Sequence, residues 1–362
     1  METVLKLASR LFAALMLSVM LSSNPAGAQD FAGKTVEIIV PYGPGGATDL
    51  AARAFSRVLP AYLPGRPTVI VRNMPGGGGL TGVNYLGEVA KPDGLAVLIW
   101  TWNPIVHLMK EPNLRVRLDE FHPVGGLHFG EVAFMRADAS PKYKEPSDFI
   151  KTEPLWFGGL GPSNFKDIVG RLQLDLLGAT YGYIGSYRGS QEIVLAIQRN
   201  ELQFTTISSA SWRGQIAPSL GKDGIVRALY QGGRVSGNTT LREAELPDLP
   251  TFEQFYFSIH GKQPSGQKWE IYSFLRDVRG AFSDAVLLPP KTSSPIVSVV
   301  QRAFSSATAD PAFIAEYEKI AQAKPIWADG PSAEKVFARL RSADEAVGTF
   351  LTEYVAAVAK RN

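Results

Sequence analysis

The segment Gly43-Pro44-Gly45-Gly46-Ala47-Thr48-Asp49 joins a β-rich run to an apolar-periodic stretch. Glycine admits φ > 0 and lets backbone approach a ligand closely. The helix that follows opens with unpaired N–H groups and about half a positive charge. Together these features make an anion site. The lysine of a phosphate-cradling GxxxxGK[ST] loop is missing, so the chemistry points to a carboxylate rather than a phosphate. The same residues also read as a tight turn in which Thr48 or Asp49 caps the helix.

Three further glycine-rich turns follow strand-like runs. Gly77-x-Gly79-x-x-Gly82 matches the dinucleotide fingerprint in form. The acidic residue that would hold a ribose is absent, because the next run ends in Trp100-Thr101-Trp102-Asn103. Dinucleotide binding is therefore set aside. Gly158-Gly159-Leu160-Gly161-Pro162-Ser163-Asn164 and Gly185-Ser186-Tyr187-Arg188-Gly189-Ser190 are the other two. Ser163 and Ser190 read as helix caps or as ligand contacts. Arg188 is either a solvated surface charge or a cation for an anionic ligand.

Other chemistries are poorly served. No cysteine occurs, which excludes disulfides, thiol nucleophiles and cysteine-ligated metals. The four histidines, His107, His122, His128 and His260, are not spaced as a metal pair, so no metal and no cofactor is expected. No GxSxG elbow is present, and an exported α/β enzyme is the lesser reading. A net charge of +3, from 37 basic and 34 acidic residues, is too balanced for a nucleic-acid binder.

The elements that must position these turns alternate. Strand-like runs at 35–40, 68–72 and 95–100 enclose helical stretches at 48–63 and 80–90. A second series has strand-like runs at 132–136, 155–158, 180–184, 203–207 and 225–230. Helical stretches at 165–177, 190–199 and 211–220 lie among them. Residues 251–281 are mixed, 284–288 is strand-like, and 305–317 and 332–359 are amphipathic. The pattern is that of an α/β protein with mostly parallel sheets. With 362 residues at one domain per ~100–200, at least two domains are expected. Ligands of open α/β sheets sit at the carboxyl ends of the strands, which directs attention to a cleft between two lobes.

Residues 1–28 read as a cleaved signal peptide. Lys6 and Arg10 precede an eleven-residue apolar run at 11–21, and Ala26-Gly27-Ala28 fits the cleavage pattern. The mature chain then starts at Gln29, soluble and exported.

The segment VPYGPGGATD (40–49) resembles the VPFPPGGxxD segment of the tripartite tricarboxylate transporter receptors, the periplasmic solute-binding proteins also called Bug receptors. RNMPGGGGLTG (72–82), KPDGLAVLIW (91–100), GSYRGS (185–190), LPDLPTFEQF (246–255) and LLPPKTSSPIVSVVQRAF (287–304) resemble further family blocks, in order. The family's Gly-Ser-x-x-His pattern is absent from the second-lobe turn, where Phe165-Lys166-Asp167 stand. Trp100 stands where glycine is usual, and Trp102 follows, to narrow the cleft, stack on a ligand or fill core. Residues 258–281 look like an insertion.

The resemblance implies two α/β lobes closing on a small carboxylate: a di- or tricarboxylate, an aromatic acid or an amino acid. It implies lobe 1 at 29–130 plus 235–362, lobe 2 at 131–234, and crossings near Gly130 and Gly232-Gly233-Arg234. Ligand contacts then fall to Gly45, Gly46, Ala47, Thr48 and Asp49 of the first lobe. Asp49 has a supporting role in holding the loop. The second lobe contributes Gly159, Gly161, Ser163, Asn164, Ser186, Arg188, Gly189 and Ser190, with Trp102 beside them. The implied partners of a monomeric receptor are the membrane subunits of a tripartite transporter. An orphan receptor feeding a sensor is the variant reading.

Overall fold

The computed structural model describes residues 30–140, 143–187, 189–236, 239–279 and 281–359. The expected leader and Arg188 lie outside the described residues. Among the described residues no helix is long and apolar enough to cross a membrane.

The strands of the first half are β1 (Thr35–Val40), β2 (Thr68–Asn73), β3 (Ala96–Thr101) and β4 (His122–His128). Then come β5 (Glu131–Arg136), β6 (Trp156–Gly158), β7 (Gly182–Ile184), β8 (Phe204–Ser208) and β9 (Val226–Gln231). The ribbon β10 (Arg234–Ser236) and β11 (Thr239–Leu241) precedes β12 (Asp284–Leu288) and β13 (Ile326–Ala328). One sheet has the order β13-β4-β12-β3-β1-β2 and the other β7-β6-β8-β5-β9. β1 runs parallel to β2 and β3, while β12 is antiparallel to β3 and β4. In the second sheet β6 is parallel to β7 and β8, and β5 is antiparallel to β8 and β9.

Both faces of the first sheet are covered at its centre, which is why β1, β3 and β12 are nearly continuous apolar runs. Val36, Ile38 and Val40 of β1 face one core with Phe55, Phe304 and Phe313. Ile39 faces the other with Val83, Leu86 and Phe337. The period of two thus sends alternate residues to helices Ala47–Val58, Ser294–Thr308 and Pro311–Ala321 on one side. Helices Leu80–Glu88 and Gly330–Arg341 cover the other side. The second sheet is built likewise: Val132 and Phe134 face Ile193, Trp212 and Ile216, while Ala133 and Met135 face Ile168, Leu172 and Phe252.

The boundaries of the lobes differ from the expectation in two respects. The chain leaves the first sheet after His128 and enters the second at Glu131. It does not return at residue 235. Helices Phe252–His260 and Gln267–Arg279 bury Phe252, Phe255, Ile271, Tyr272 and Leu275 in the core of the second sheet. The first sheet is regained only at Asp284. The last helix, Glu345–Ala359, touches both lobes: its Gly348 packs against Leu108 of the first, while Val347 and Leu351 enter that same core and Tyr354 Oη donates to Asp175 at 3.0 Å. Three segments therefore link the lobes.

Candidate functional site

β1 delivers its chain, at Val40, to the carboxyl edge of the first sheet. Gly45 follows at φ +90°, a conformation that excludes a side chain without strain. Gly46 is the N-cap of helix Ala47–Val58 and offers no side-chain cap. The turn is held from behind by Asp49. Its Oδ2 accepts from the Gly45 N–H (2.8 Å) and Arg53 Nε (2.8 Å). Its Oδ1 accepts from Asn73 Nδ2 (2.8 Å) and Arg53 Nη2 (3.1 Å). Burial pushes this carboxyl up, but Arg53, the Gly45 N–H and Asn73 outweigh it and hold it below its ordinary range.

The floor is formed where the strands of opposite direction meet. Asp284 opens β12 and stands between Thr101 of β3 and Leu127 of β4. It is 2 % exposed, and its Oδ1 is buried without a hydrogen-bond partner. Thr48 turns inward, its hydroxyl 3.2 Å from that of Thr101. Burial raises the Asp284 carboxyl; the hydroxyls of Thr101 and Thr48 and the charge of Arg279 act the other way without cancelling it.

The second lobe supplies the opposite wall. β8 ends at Ser208, whose Oγ accepts from Ser211 N–H at 3.2 Å and so caps the next turn. The helix Trp212–Gly221 then runs in the wide π register, with Pro218 inside it. This register presents Gly214 and Gln215 to the cavity. Gln191, near the start of helix Ser190–Gln198, completes the wall. Across the top, Arg213 Nη2 donates to Ala321 O of the first lobe at 3.2 Å, while Nη1 meets Glu243 Oε2 at 3.1 Å.

These walls enclose a cavity of about 410 Å³. Gly45, Gly46, Ala47, Ser208, Ser211, Gln215, Asp284, Tyr317, Lys319 and Gln322 line it, with Leu50, Leu127, Phe129 and Ile320 among its apolar residues. No histidine does, and among the described residues no cluster of three or more potential ligands could hold a metal. What the arrangement offers is binding chemistry: backbone N–H groups at a helix start, side-chain amides, hydroxyls and one buried carboxylate.

Of the residues singled out from sequence, Gly45, Gly46 and Ala47 line the cavity, with Thr48 and Asp49 behind them. The 159–164 turn does not line it. Gly161 N–H donates to the buried Asp167 Oδ2 at 2.7 Å, and Gly159 packs against the same carboxylate. Ser163 is exposed, and Asn164 caps helix Phe165–Leu177 by accepting from Lys166 N–H at 3.1 Å. Ser186 lines a separate depression with Trp156, Pro162 and Tyr183. Gly189 is an N-cap, and the exposed Ser190 neighbours the lining residue Gln191. Trp102 does not line the cavity: it is fully buried, stacked on Phe337 at 5.0 Å, with Nε1 donating to Val278 O at 2.6 Å. Sequence reasoning missed Gln191, Ser208, Ser211, Gln215, Asp284 and the first-lobe helix end at Tyr317–Gln322. The run Ser208-Ser209-Ala210-Ser211 after a strand was the one local signal available.

No protein-family model and no curated protein sequence matches the chain. Solved structures do. A TctC solute-binding protein from Polaromonas superposes with a TM-score of 0.65 at 19% identity, over 89% of this chain and 98% of that one. An R. palustris protein with adipate gives 0.62 at 17% identity, over 90% and 99%. The periplasmic binding protein BugD gives 0.59 at 18%, over 90% and 98%. The chain thus has the two-domain α/β fold of the TctC and Bug periplasmic binding proteins.

Proposed function

We propose that this protein is a divergent periplasmic receptor of the tripartite tricarboxylate transporter type. It captures a small organic carboxylate between its lobes and hands it, as a monomer, to membrane subunits. It performs no turnover. The leader at 1–28 exports it, and Gln29 begins the mature chain.

The observation that carries this reading is the interlobe cavity with the uncapped helix start at Gly46–Ala47 on one wall and Ser208, Ser211 and Gln215 on the other. Hydrogen bonds to a charged group contribute about 1.5–3 kcal/mol each, and micromolar affinity needs about 8 kcal/mol net. A few converging donors suffice. The similar R. palustris protein holding adipate supports the ligand class.

A thermal-shift screen against mono-, di- and tricarboxylates, followed by calorimetry on hits, tests it. Saturable stabilisation by at least one carboxylate is expected. An unshifted melting temperature across the panel would sink the reading.

A further inference from the structure

Two of the three linking segments meet beside the cavity, and their fastenings change lobe across a single peptide bond. Phe129 is held to the first lobe. Its N–H donates to Ser283 Oγ at 3.2 Å, and its carbonyl accepts from the same hydroxyl at 2.5 Å. Ser283 is itself tied into the first sheet: its N–H donates to Leu127 O and its carbonyl accepts from Trp102 N–H, both at 2.8 Å. The next residue, Gly130, is held to the second lobe, where its carbonyl accepts from Ser209 N–H at 2.8 Å. Glu131 O then accepts from Gly232 N–H at 2.7 Å. Glu243 Oε1 fills the place where a Cβ on Gly130 would stand. On the return segment the change of side falls between Arg279, paired with Glu131 at 3.5 Å, and Ser283.

Ser283 is 1 % exposed, and its hydroxyl spends its one donor and an acceptor on the backbone of one residue. That residue borders two cavities. Phe129 lines the ligand cavity and also a second one of about 70 Å³, shared with Gly130, Glu131, Arg279 and Ser283. Packing around the junction therefore leaves it room to turn. Hinges are a few residues that absorb a large change in φ and ψ. Taking the lobes to close on a ligand, on which this inference rests, we propose that closure pivots at the Phe129–Gly130 junction and that Ser283 is a positioning residue that keeps Phe129 with the first lobe. Without the hydroxyl, both backbone groups of Phe129 lose their partner. The bend then spreads back toward His128, and one wall of the cavity is no longer fixed.

Two measurements on the full, ligand-free protein test this. The chain has no cysteine, so Val89→Cys and Leu195→Cys, at exposed positions of the first and second lobe, take spin labels at those sites alone. Pulsed dipolar spectroscopy then reads the spread of interlobe distances, and hydrogen exchange reads the Phe129 amide. Ser283→Ala is expected to broaden the spread and to speed Phe129 exchange about tenfold, as loss of a hydrogen bond would. Ser283→Thr retains the hydroxyl and restores both. Gly159→Ala, which crowds Asp167 away from the hinge, changes neither. In wild type, with no variant needed, the Phe129 amide exchanges as slowly as that of Ser283. Rapid Phe129 exchange in wild type overturns the inference and leaves the receptor reading standing. So does a spread that Ser283→Ala leaves unchanged, that Ser283→Thr fails to restore, or that Gly159→Ala broadens equally. A carboxylate panel that shifts no melting temperature sinks the receptor reading without altering either measurement.

Discussion

Asp49 Oδ2 accepts a 2.8 Å hydrogen bond from the backbone N–H of Gly45, four residues earlier, and so closes the turn whose glycines line the cavity. Asp49→Ala removes that acceptor and leaves the Gly45 N–H and Asn73 amide without their partner. A loss of about 1–3 kcal/mol in unfolding free energy is expected, with weaker ligand binding. The folded carboxyl is depressed, so its contribution is present above pH ~3.9 and lost as pH falls through the folded value. Urea titrations of wild type and Asp49→Asn at pH 7 and pH 3 check both points; equal stability loss at both would contradict them.

Gly159 lies against the carboxylate of Asp167, which is 0 % exposed and holds Gly161 N–H and Tyr183 Oη at 2.7 and 2.9 Å. A Cβ there would overlap Asp167 Oδ2 and come within 2.8 Å of the Tyr183 ring. Gly159→Ala is expected to cost about 1–3 kcal/mol by overpacking. Affinity per folded molecule should change little, because this turn does not line the cavity. A large affinity loss with unchanged stability would reassign the turn to the ligand.

Arg213 spans the lobes, from Glu243 to the Ala321 carbonyl. Arg213→Ala strands Glu243, a carboxyl already raised by burial. Breaking so buried a pair is expected to cost about 3–5 kcal/mol and to shift the ligand-free molecule toward open forms. Small-angle scattering should give a larger radius of gyration for the variant without ligand. An unchanged radius would remove the latch.

His128, where the chain leaves the first sheet, has neither ring nitrogen paired, and burial together with Arg279 and Arg234 lowers its pKa to about 4. The unfolded chain binds the proton from pH ~6.5 downward while the folded one does not, so stability falls between 6.5 and 4. The loss attributable to this group is about 3 kcal/mol. Asp284 and Glu243, whose carboxyls are raised, work in the opposite sense as they protonate. His128→Leu should therefore be less acid-sensitive than wild type over that window in thermal melts. Parallel pH profiles would refute it.

Trp102→Phe keeps ring stacking on Phe337 and loses the bond from Nε1 to Val278 O. About 1–2 kcal/mol of stability should go with it, and ligand affinity should hold. Affinity loss without destabilisation would return this ring to the cleft.

The strand–glycine–helix units were legible because their signals are local. TVEIIV at β1 and DAVLL at β12 carry their own β propensity, and a glycine turn announces the end of a strand wherever it sits. β4 was not legible. His122-Pro-Val-Gly-Gly-Leu-His reads as a turn, yet it lies between β12 and β13. Its glycines are needed because Trp327 and Phe282 pack where side chains at Gly125 and Gly126 would stand. The strand is imposed by neighbours on both edges.

The same distinction governs the site. Composition, the four glycine turns and the alternation of strand-like and helical runs determined the α/β class and the Gly45–Ala47 wall, since each depends on residues close in sequence. An apolar helix face states that it must be buried but not against which sheet, and so helices Phe252–His260 and Gln267–Arg279 found their lobe only on folding. Asp284 is an ordinary acidic residue until β12 inserts beside β3 and places it next to Thr101 and Thr48 under the cavity. Its burial arises from strands more than 150 residues away in the chain, at Thr101 and Leu127. A sequence states which groups are charged, but only the tertiary structure decides which of them lose their water.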